Sequence, residues 1–391
     1  MSIRGKAHIA GAFEHPCRLA LGKSTPELHA EVARGALADA GLDMADVDGF
    51  FCGGDAPGLG GVDMAEYLGL KLKHIDSTET GGSSYINHVN HAAQAIAAGH
   101  CHVALITLAG RLVADMKEGL APPSYWPDDT PGRGFEAPYR ATTVAMYAMA
   151  ARRHMHEYGT TGEQLAWIKV AASHHAQHNE FAKLRKVVTV EEVVASPMVA
   201  DPLHRLDCCV MTDGGGALVL VSAEVASSLE RTTVKVLGTG ETVKHLDGGR
   251  VDLTFTGARV SGPAAFAEAG VAPADIQYAS VYDSFTITVL ETLEDLGFCE
   301  KGEGGRFVAD GNLISGVGAL PVNTDGGGLC NNHPANRGGV TKVIEAVRQI
   351  RGEAHPEVQV PGCTLALAHA TGGSLGSRMG SSTVILGSAD A

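Results

Sequence analysis

This sequence lacks the features of a disulfide-stabilised or membrane-spanning protein. Its eight cysteines are scattered over 391 residues without a CxxC pair. Neither a disulfide framework nor a zinc knuckle is indicated, and we expect reduced thiols and no metal site. No apolar run approaches the length of a membrane span, and residues 1–16 contain no signal-type segment. We therefore expect a cytoplasmic protein that crosses no membrane.

The sequence also lacks an excess of positive charge. Lys and Arg number 30 against 44 Asp and Glu, which gives a formal net charge of -14, and no basic stripe stands out. This balance excludes a nucleic acid or an anionic membrane surface as the expected partner. Because 45% of the residues are hydrophobic, the chain can form two to three domain-sized cores. An anionic ligand would have to be bound by local groups.

Two segments of the chain are similar to each other. Residues 36–48 read "ALADAGLDMADVD" and residues 265–277 read "AFAEAGVAPADIQ". Each pattern predicts a helix that ends on Ala-Gly, a short loop, and then a buried strand. Further along, glycine-rich segments start two helices that end at Gly99 and Gly352, and an apolar strand follows each. The repeat predicts a layered α/β fold with two pseudo-twofold-related halves.

The repeat also predicts how the chain is divided. We expect an N-terminal half at 1–111 plus about 201–225, a loop domain at 112–200, and a C-terminal half at 226–391. The inserted segment is rich in aromatic and basic residues and predicts a helical excursion over one face of the protein. It forms either a peripheral cap or a cover for a substrate.

A glycine-rich stretch precedes the predicted helix that ends at Gly352. Residues 325–339 read "DGGGLCNNHPANRGG" and lead into an amphipathic segment, 340–351. Glycine lets the backbone approach a ligand closely, and a helix N-terminus offers unpaired N–H groups. A simple helix cap is the alternative interpretation. Aligning the two helix ends sets Gly82 opposite Ala335, close to His333, so we predict a site between 81–84 and 330–333.

Several segments together resemble the thiolase superfamily, in its sterol-carrier and lipid-transfer-type branch. They include "LADAGLDMADVDG", "YGTTGEQLAWIKVAASHHAQHN", "ASPMVADPLHRLDCCVMTDGGGALVLVSAE" and "VYDSFTITVLETLEDLGFCEKGEGGRF". The resemblance extends over nearly the whole chain. It implies a thiolase fold with two five-stranded halves, an acyl-CoA substrate, and a homodimer formed through a strand of the first half. It also implies a separate small OB-fold protein that helps to bind the acyl-CoA, and no cofactor other than the coenzyme A of the substrate.

The catalytic cysteine of that family is missing from this chain. In thiolases it lies at the N-terminus of the buried helix of the first half, where helix N–H groups favour the thiolate. By the family spacing this position is Gly82, which Ser83 and Ser84 follow. A hydroxyl is much harder to ionise than a thiol, so both serines are interpreted mainly as helix caps. We expect Gly82, Ser83 and Ser84 to line the substrate site.

The remaining family motifs are only partly kept. Where this branch has His-Asp-Cys-Phe, residues 282–285 read Tyr-Asp-Ser-Phe, and the Cys-x-Gly motif is replaced by Ala-Thr-Gly at 370–372. The Gly-His-Pro motif survives as Asn-His-Pro at 332–334. The resemblance implies catalytic roles for Tyr282, His333 and Asp283. We also expect Cys330, His369 and Gly372 at the substrate site. Cys330 matches no catalytic position of the family, and a buried structural thiol is its alternative interpretation.

These substitutions favour carbon–carbon cleavage of the retro-aldol type over thiolysis. An aldol cleavage needs an enolate of a CoA thioester and a base for the β-hydroxyl proton, but no acyl-enzyme. The combination of Gly82 and Tyr282 resembles thiolase-like aldolases that shorten steroid side chains, although these relatives tend to have a tyrosine where this chain has His333. Two alternatives stay open: an acyltransferase that uses Ser83, Ser84 or Cys330, and a non-catalytic acyl-CoA-binding subunit.

Overall fold

The computed structural model describes residues 2–120, 137–139, 142–245, 250–335, 337–375 and 377–391. These ranges contain strands β1 to β11, which alternate with helices along much of the chain. The strands are β1 Ala7–Glu14, β2 Gly49–Cys52, β3 His74–Asp76, β4 Val103–Gly110, β5 Met198–Ala200, β6 Leu203–His204, β7 Gly214–Ser222, β8 Val234–Lys244, β9 Tyr278–Val281, β10 Leu365–Ser374 and β11 Ser377–Gly387.

The helices of the described ranges are labelled α1 to α12. They are α1 Thr25–Ala40, α2 Gly61–Leu68, α3 Ser84–Ala97, α4 Leu112–Lys117, α5 Thr143–Tyr158, α6 Gly162–Ala176, α7 Val190–Val194, α8 Ala223–Ser228, α9 Ala258–Ala269, α10 Thr286–Asp295, α11 Gly304–Phe307 and α12 Gly339–Arg351. In the part of the chain that the structure describes, none of these helices is long and apolar enough to cross a membrane.

Nine strands form one sheet in the order β3-β2-β4-β7-β1-β8-β11-β10-β9. The order β2-β4-β7-β1 is mirrored by β9-β10-β11-β8, and β2 and β9 each directly follow one of the two similar segments. The predicted duplication is therefore visible in the strand order. The prediction of two five-stranded halves is wrong in one respect, because the described residues give the second half four strands. The halves also join, since β1 pairs with β8 at His8–Lys235 and Ile9–Val234.

The helices form layers on either side of the sheet. Helix α1 packs on the outer face of the first half through residues such as Val32 and Leu37, and α9 covers the second half with Ala258 and Phe266. Helices α3 and α12 share one core cluster with strands of both halves. This arrangement buries α3 and α12 between the two half-sheets. It brings the two predicted site segments into the centre of the molecule.

Glycine permits the close packing of the outer helices. A Cβ added at Gly11 would overlap the carbonyl oxygen of Ala36 on α1, and one added at Gly240 would overlap that of Ser261 on α9. Both glycines lie on the paired strands β1 and β8, one in each half. Both halves therefore use the same device to bring a helix backbone onto the sheet.

The described helices of the inserted segment pack against the second half. Helices α5 and α6 share a core cluster with α10 that includes Tyr147, Leu165, Phe285 and Leu290. Thr161 begins α6 with a capping box in which Gln164 returns the hydrogen bond. The segment just before α10 carries the residues at 282–285, so the insertion adjoins one wall of the candidate site.

Candidate active site

Tyr282 and His333 meet in a buried hydrogen-bonded pair. The Tyr282 hydroxyl oxygen lies 2.7 Å from Nε2 of His333, and the two rings pack edge to face with centroids 5.4 Å apart. Tyr282 follows β9, and its backbone N–H donates to the carbonyl oxygen of His369 at 2.9 Å. The backbone N–H of His333 donates to Oγ1 of Thr212 at 3.0 Å. The predicted pairing of these two side chains is present in the structure.

The Tyr282 hydroxyl lies beside the α-carbon of Gly82. A Cβ added at Gly82 would overlap that hydroxyl, and it would lie 2.6 Å from Cζ of Tyr282 and 2.5 Å from the carbonyl oxygen of Thr371. A real Cβ atom essentially never lies this close to a neighbour, so a side chain at position 82 would require Tyr282 or the backbone at Thr371 to move. The phenolic oxygen occupies the space that a side chain at position 82 would enter.

Helices α3 and α12 bring their N-termini to this point. A short 3-10 turn, Gly81–Ser83, precedes α3. A Cβ added at Gly339, the first residue of α12, would overlap the carbonyl oxygen of Gly82. The backbone N–H of Gly338 donates to the Tyr282 hydroxyl at 3.3 Å. The phenolic oxygen therefore lies at the partly positive end of a buried helix.

The predicted start of α12 is wrong by several residues. We expected this helix to begin near His333, with Ala335 opposite Gly82, but it begins at Gly339, which is the residue packed on Gly82. The intervening turn contains Ala335 with φ of 52°, a left-handed conformation that a helix cannot include. His333 therefore projects from a turn, not from the first turn of the helix.

Asp283 holds the glycine-rich loop in place. Its carboxylate accepts the backbone N–H groups of Gly328 at 2.8 Å and Leu329 at 3.0 Å. Nζ of Lys342 lies 2.6 Å from Oδ1 of Asp283, and both side chains are almost fully buried. These contacts engage both carboxylate oxygens, so the geometry assigns Asp283 to positioning. Support of the loop is the role expected for Asp283 beside Tyr282 and His333.

The two serines form the turn before α3. Oγ of Ser83 donates to the carbonyl oxygen of Thr80 at 2.9 Å, and Oγ of Ser84 accepts the backbone N–H of Thr80 at 2.8 Å. Both side chains are fully buried. Gly372 packs on the same turn, since a Cβ there would lie 2.7 Å from the nitrogen of Gly82. These residues shape the backbone around Gly82, and both serine hydroxyls form hydrogen bonds to Thr80.

Two predicted substrate contacts are placed elsewhere. Cys330 is fully buried in the cluster of α5, α6 and α10, and burial raises the pKa of its thiol. His369 is also fully buried; its Nδ1 lies 2.8 Å from Oγ1 of Thr383, and burial lowers the pKa of the imidazole to about 3. Its β10 neighbours Ala368 and Ala370 belong to the central cluster, so alternation along the strand turns His369 to the outer face.

The structure adds Cys209 to the site. Its Sγ lies 3.4 Å from Nδ1 of His333, on the side of the ring opposite Tyr282. Burial, reinforced by the negative charge of Asp283, raises the pKa of this thiol to about 12. Thr212 and Lys342 also join the site. No sequence pattern distinguishes these three residues, because Cys209 and His333 lie far apart in the chain and only the fold brings them together.

The arrangement is suited to proton transfer. An ordinary phenol has a pKa near 10, so it acts as a base near neutrality only where hydrogen-bond donors stabilise the phenolate. The Gly338 N–H and the His333 ring both contact the Tyr282 oxygen. Among the residues that the structure describes, no group of three or more His, Cys, Asp or Glu side chains is arranged to hold a metal ion.

Comparisons with known proteins agree with this geometry. Residues 240–388 match the family model described as thiolase C-terminal domain-like. The chain is 35% identical to a steroid side-chain-cleaving aldolase of Thermomonospora curvata, over 90% of this chain and 91% of that protein. It is also 35% identical to an acetyl-CoA acetyltransferase of Methanothermobacter thermautotrophicus, over 88% and 91% of the two chains. The solved structure titled Ltp2-ChsH2(DUF35) aldolase superimposes with a TM-score of 0.86 at 33% identity, covering 99% of this chain and 98% of that one.

Proposed function

Since this chain belongs to the thiolase superfamily, we propose that it cleaves a carbon–carbon bond of a β-hydroxyacyl-CoA thioester by a retro-aldol reaction. One observation carries the proposal: the Tyr282 hydroxyl lies against Gly82, where the family has a nucleophilic cysteine. A proton-transferring oxygen therefore takes the place of a thiol. The identity to an aldolase that cleaves steroid side chains supports the same reaction class and makes a steroid acyl group the first substrate to test.

In the proposed step, the Tyr282 phenolate takes the proton of the substrate's β-hydroxyl. The electrons of that O–H bond form a carbonyl while the bond between the α- and β-carbons breaks. Its electrons move into the thioester as an enolate, which donors at the adjacent helix N-termini stabilise. Tyr282 then returns the proton to the α-carbon. The products are a ketone or aldehyde and a shortened acyl-CoA, with no net uptake or release of protons.

The proposal is tested with a β-hydroxyacyl-CoA whose acyl group is the side chain of a steroid, in the absence of free CoA. Mass spectrometry should detect the carbonyl product and the shortened acyl-CoA in equal amounts. Thiolysis, in contrast, consumes free CoA. A protein that ignores the β-hydroxyacyl-CoA but cleaves a β-ketoacyl-CoA when free CoA is present would be a thiolase, and the proposal would be wrong.

Acyl transfer is the second candidate, and Cys209 gives it a specific residue. Its thiol lies 3.4 Å from Nδ1 of His333, as in a cysteine–histidine nucleophile pair. The raised pKa of this thiol opposes the role, because the thiolate is the reactive form. Ser83, Ser84 and Cys330 are weaker candidates, since their side chains are fully buried. Intact-protein mass spectrometry after substrate incubation would reveal an acyl adduct on Cys209.

The assembly is also part of the proposal. The similar aldolase structure carries two names in its title, Ltp2 and ChsH2(DUF35), which supports a separate acyl-CoA-binding partner for this chain. A homodimer through the first half is supported by β3, an edge strand with Ile75 43% exposed. We propose a cytoplasmic enzyme that needs no cofactor beyond the coenzyme A of its substrate. Product assays with and without the partner protein would test whether this chain requires it.

A further inference from the structure

We propose that Cys209 is a positioning residue whose S–H group donates to Nδ1 of His333, so that Nε2–H of His333 donates to the Tyr282 oxygen. The inference rests on the proposed function, in which that oxygen takes a proton from the substrate. It assigns the neighbouring thiol a role that involves no covalent chemistry.

The geometry places His333 between two partners. Sγ of Cys209 lies 3.4 Å from Nδ1, within the range for sulfur, and the Tyr282 oxygen lies 2.7 Å from Nε2. A neutral imidazole carries its proton on one nitrogen and accepts at the other. The partner of one nitrogen therefore determines whether the other donates or accepts. If Nδ1 accepts from the thiol, the proton of the ring lies on Nε2.

The thiol is suited to be the donor. Burial and the negative charge of Asp283 keep it protonated near neutral pH, so it presents an S–H group to the ring. Its backbone is fixed: the N–H of Cys209 donates to the carbonyl oxygen of Ser284 at 2.9 Å, and that of Val210 donates to the carbonyl oxygen of Gly328 at 2.8 Å. The segment that carries Cys209 is thus tied both to the loop after Tyr282 and to the glycine-rich stretch.

The tautomer matters because it decides how His333 acts on Tyr282. With Nε2–H as donor, the phenolic oxygen receives hydrogen bonds from His333 and from Gly338, and both stabilise its negative charge. With the proton on Nδ1, Nε2 would accept from the phenol and hold it in its neutral form. Loss of the thiol donor should therefore raise the pH at which Tyr282 becomes an effective base.

The experiment measures kcat/KM for aldol cleavage against pH in the full-length protein, with its partner if one is required. Cys209→Ala removes the donor, and we expect the rising limb of the profile to move up by roughly one pH unit or more. Cys209→Ser supplies an O–H donor and should return the limb toward the position in the unmodified protein. Cys208→Ala is the matched control, because that thiol contacts the carbonyl oxygen of His204 and should leave the profile in place.

Each outcome supports or overturns the inference. A Cys209→Ala profile that coincides with the unmodified profile overturns it, and so does a Cys209→Ser profile shifted as far as that of Cys209→Ala. If Cys209→Ala folds poorly, Cys209→Val keeps the volume without a donor and makes the same comparison. Parallel measurement of Tyr282→Phe distinguishes failure of the proposed function from failure of this inference. Full activity in Tyr282→Phe defeats the proposed function. Loss of activity in Tyr282→Phe, together with unchanged pH profiles in the Cys209 variants, defeats only this inference.

Discussion

At the scale of single residues, the site depends on the lack of a side chain at Gly82. The Tyr282 hydroxyl and the carbonyl oxygen of Thr371 fill the space that a Cβ at Gly82 would need. Position 82 and position 282 are therefore coupled: the tyrosine can lie where it does only because the turn before α3 carries a glycine. Restoring a cysteine at position 82 alone would displace the tyrosine and would not restore a thiolase.

Gly82→Ala tests this coupling with the smallest possible side chain. We expect a loss of about 1–3 kcal/mol in the free energy of unfolding, because the new methyl group is forced into filled space. Turnover should fall by more than the loss of folded protein explains, since Tyr282 must move. Gly162→Ala is the control: a Cβ there meets nothing within 4 Å. Denaturant unfolding and turnover are measured for both variants. Equal effects at the two positions would contradict the coupling.

Some residue roles could be predicted from the sequence and others could not. Tyr282 and His333 were identified because each stands in a short, recognisable motif, and Gly82 was identified by the family spacing from Gly99. His369 was misplaced because β10 is covered on both faces and reads as a continuous apolar run, so no alternation shows which way its side chains point. Cys209 was missed because its contact with His333 depends on the tertiary fold alone.

At the scale of elements, a buried ion pair ties α12 to the loop after β9. Lys342 and Asp283 have side chains that are 2% and 1% exposed, with Nζ 2.6 Å from Oδ1. Removing one partner leaves an uncompensated buried charge. Lys342→Met should therefore lower the free energy of unfolding by about 3–5 kcal/mol, measured by denaturant titration.

The exposed pair Lys186–Glu192 provides the control for that experiment. Its side chains are 77% and 43% exposed, so Lys186→Met should cost less than about 1 kcal/mol. A small effect at Lys342, similar to that at Lys186, would mean that the buried pair does not hold the loop in place.

His91 on α3 makes the contacts of that helix with β3 and β8 sensitive to pH. Nδ1 of His91 lies 2.5 Å from Asp76 on β3, and Nε2 lies 3.2 Å from Glu241 on β8. Hydrogen bonds to Asp76 and Glu241 raise the pKa of His91 to about 9. Since the folded pKa exceeds the unfolded value of about 6.5, the stabilisation is complete below pH 6.5 and is lost as the pH rises through 9.

The corresponding prediction compares melting temperatures across that pH range. His91→Gln should lower the melting temperature near pH 6, and the difference from the unmodified protein should shrink as the pH approaches 10. The exposed His156→Gln variant should show no such trend. A His91→Gln difference that stays constant from pH 6 to 10 would contradict the assigned ion pairs.

Element types were predictable and their ends less so. The two similar segments, 36–48 and 265–277, correctly indicated the equivalent strands β2 and β9 and their flanking helices. The start of α12 was misplaced because no residue pattern marked the turn that separates His333 from the helix. Helix α12 is one residue shorter than α3, and the turn with Ala335 lies between His333 and Gly339.

At the scale of the whole molecule, the sheet has an open edge at β3, which is the surface of the proposed homodimer. In the part of the chain that the structure describes, β3 pairs only with β2. Ile75 on β3 is 43% exposed, and Val62 on the adjacent α2 is 58% exposed. An exposed apolar edge strand is a ready surface for strand pairing. This surface fits the proposed homodimer.

Light scattering during size-exclusion chromatography should give twice the chain mass of 40.5 kDa. Ile75→Lys places a charge in the proposed interface and should shift the protein toward the monomer. Val317→Lys is the control, since Val317 is 71% exposed and lies in the second half. A monomer in the unmodified protein, or a dimer that survives Ile75→Lys and dissociates with Val317→Lys, would contradict this interface.

The overall architecture followed from the sequence because duplication constrains it strongly. Two similar halves with covered strands leave few ways to bury their helices, and the layered fold is one of them. The number of strands was less predictable. The first half has the short, partly exposed β3, whereas in the described residues of the second half its counterpart is a single parallel bridge between Val322 and Ala279 of β9. A strand as short as His74–Asp76 at a sheet edge carries too little pattern to be recognised.

The most direct test of the central claim is the turnover of Tyr282→Phe with a β-hydroxyacyl-CoA substrate. This change keeps the ring in place and removes only the oxygen beside Gly82. Tyr278→Phe is the matched control, because Tyr278 lies at the start of β9, the strand that Tyr282 follows. It is fully buried, and its hydroxyl accepts the Thr324 N–H at 3.4 Å. We predict a fall of about a hundredfold or more for Tyr282→Phe with its melting temperature retained, and near-normal turnover for Tyr278→Phe. Unchanged turnover in Tyr282→Phe, with turnover abolished by His333→Ala, would contradict the account and move the chemistry to His333.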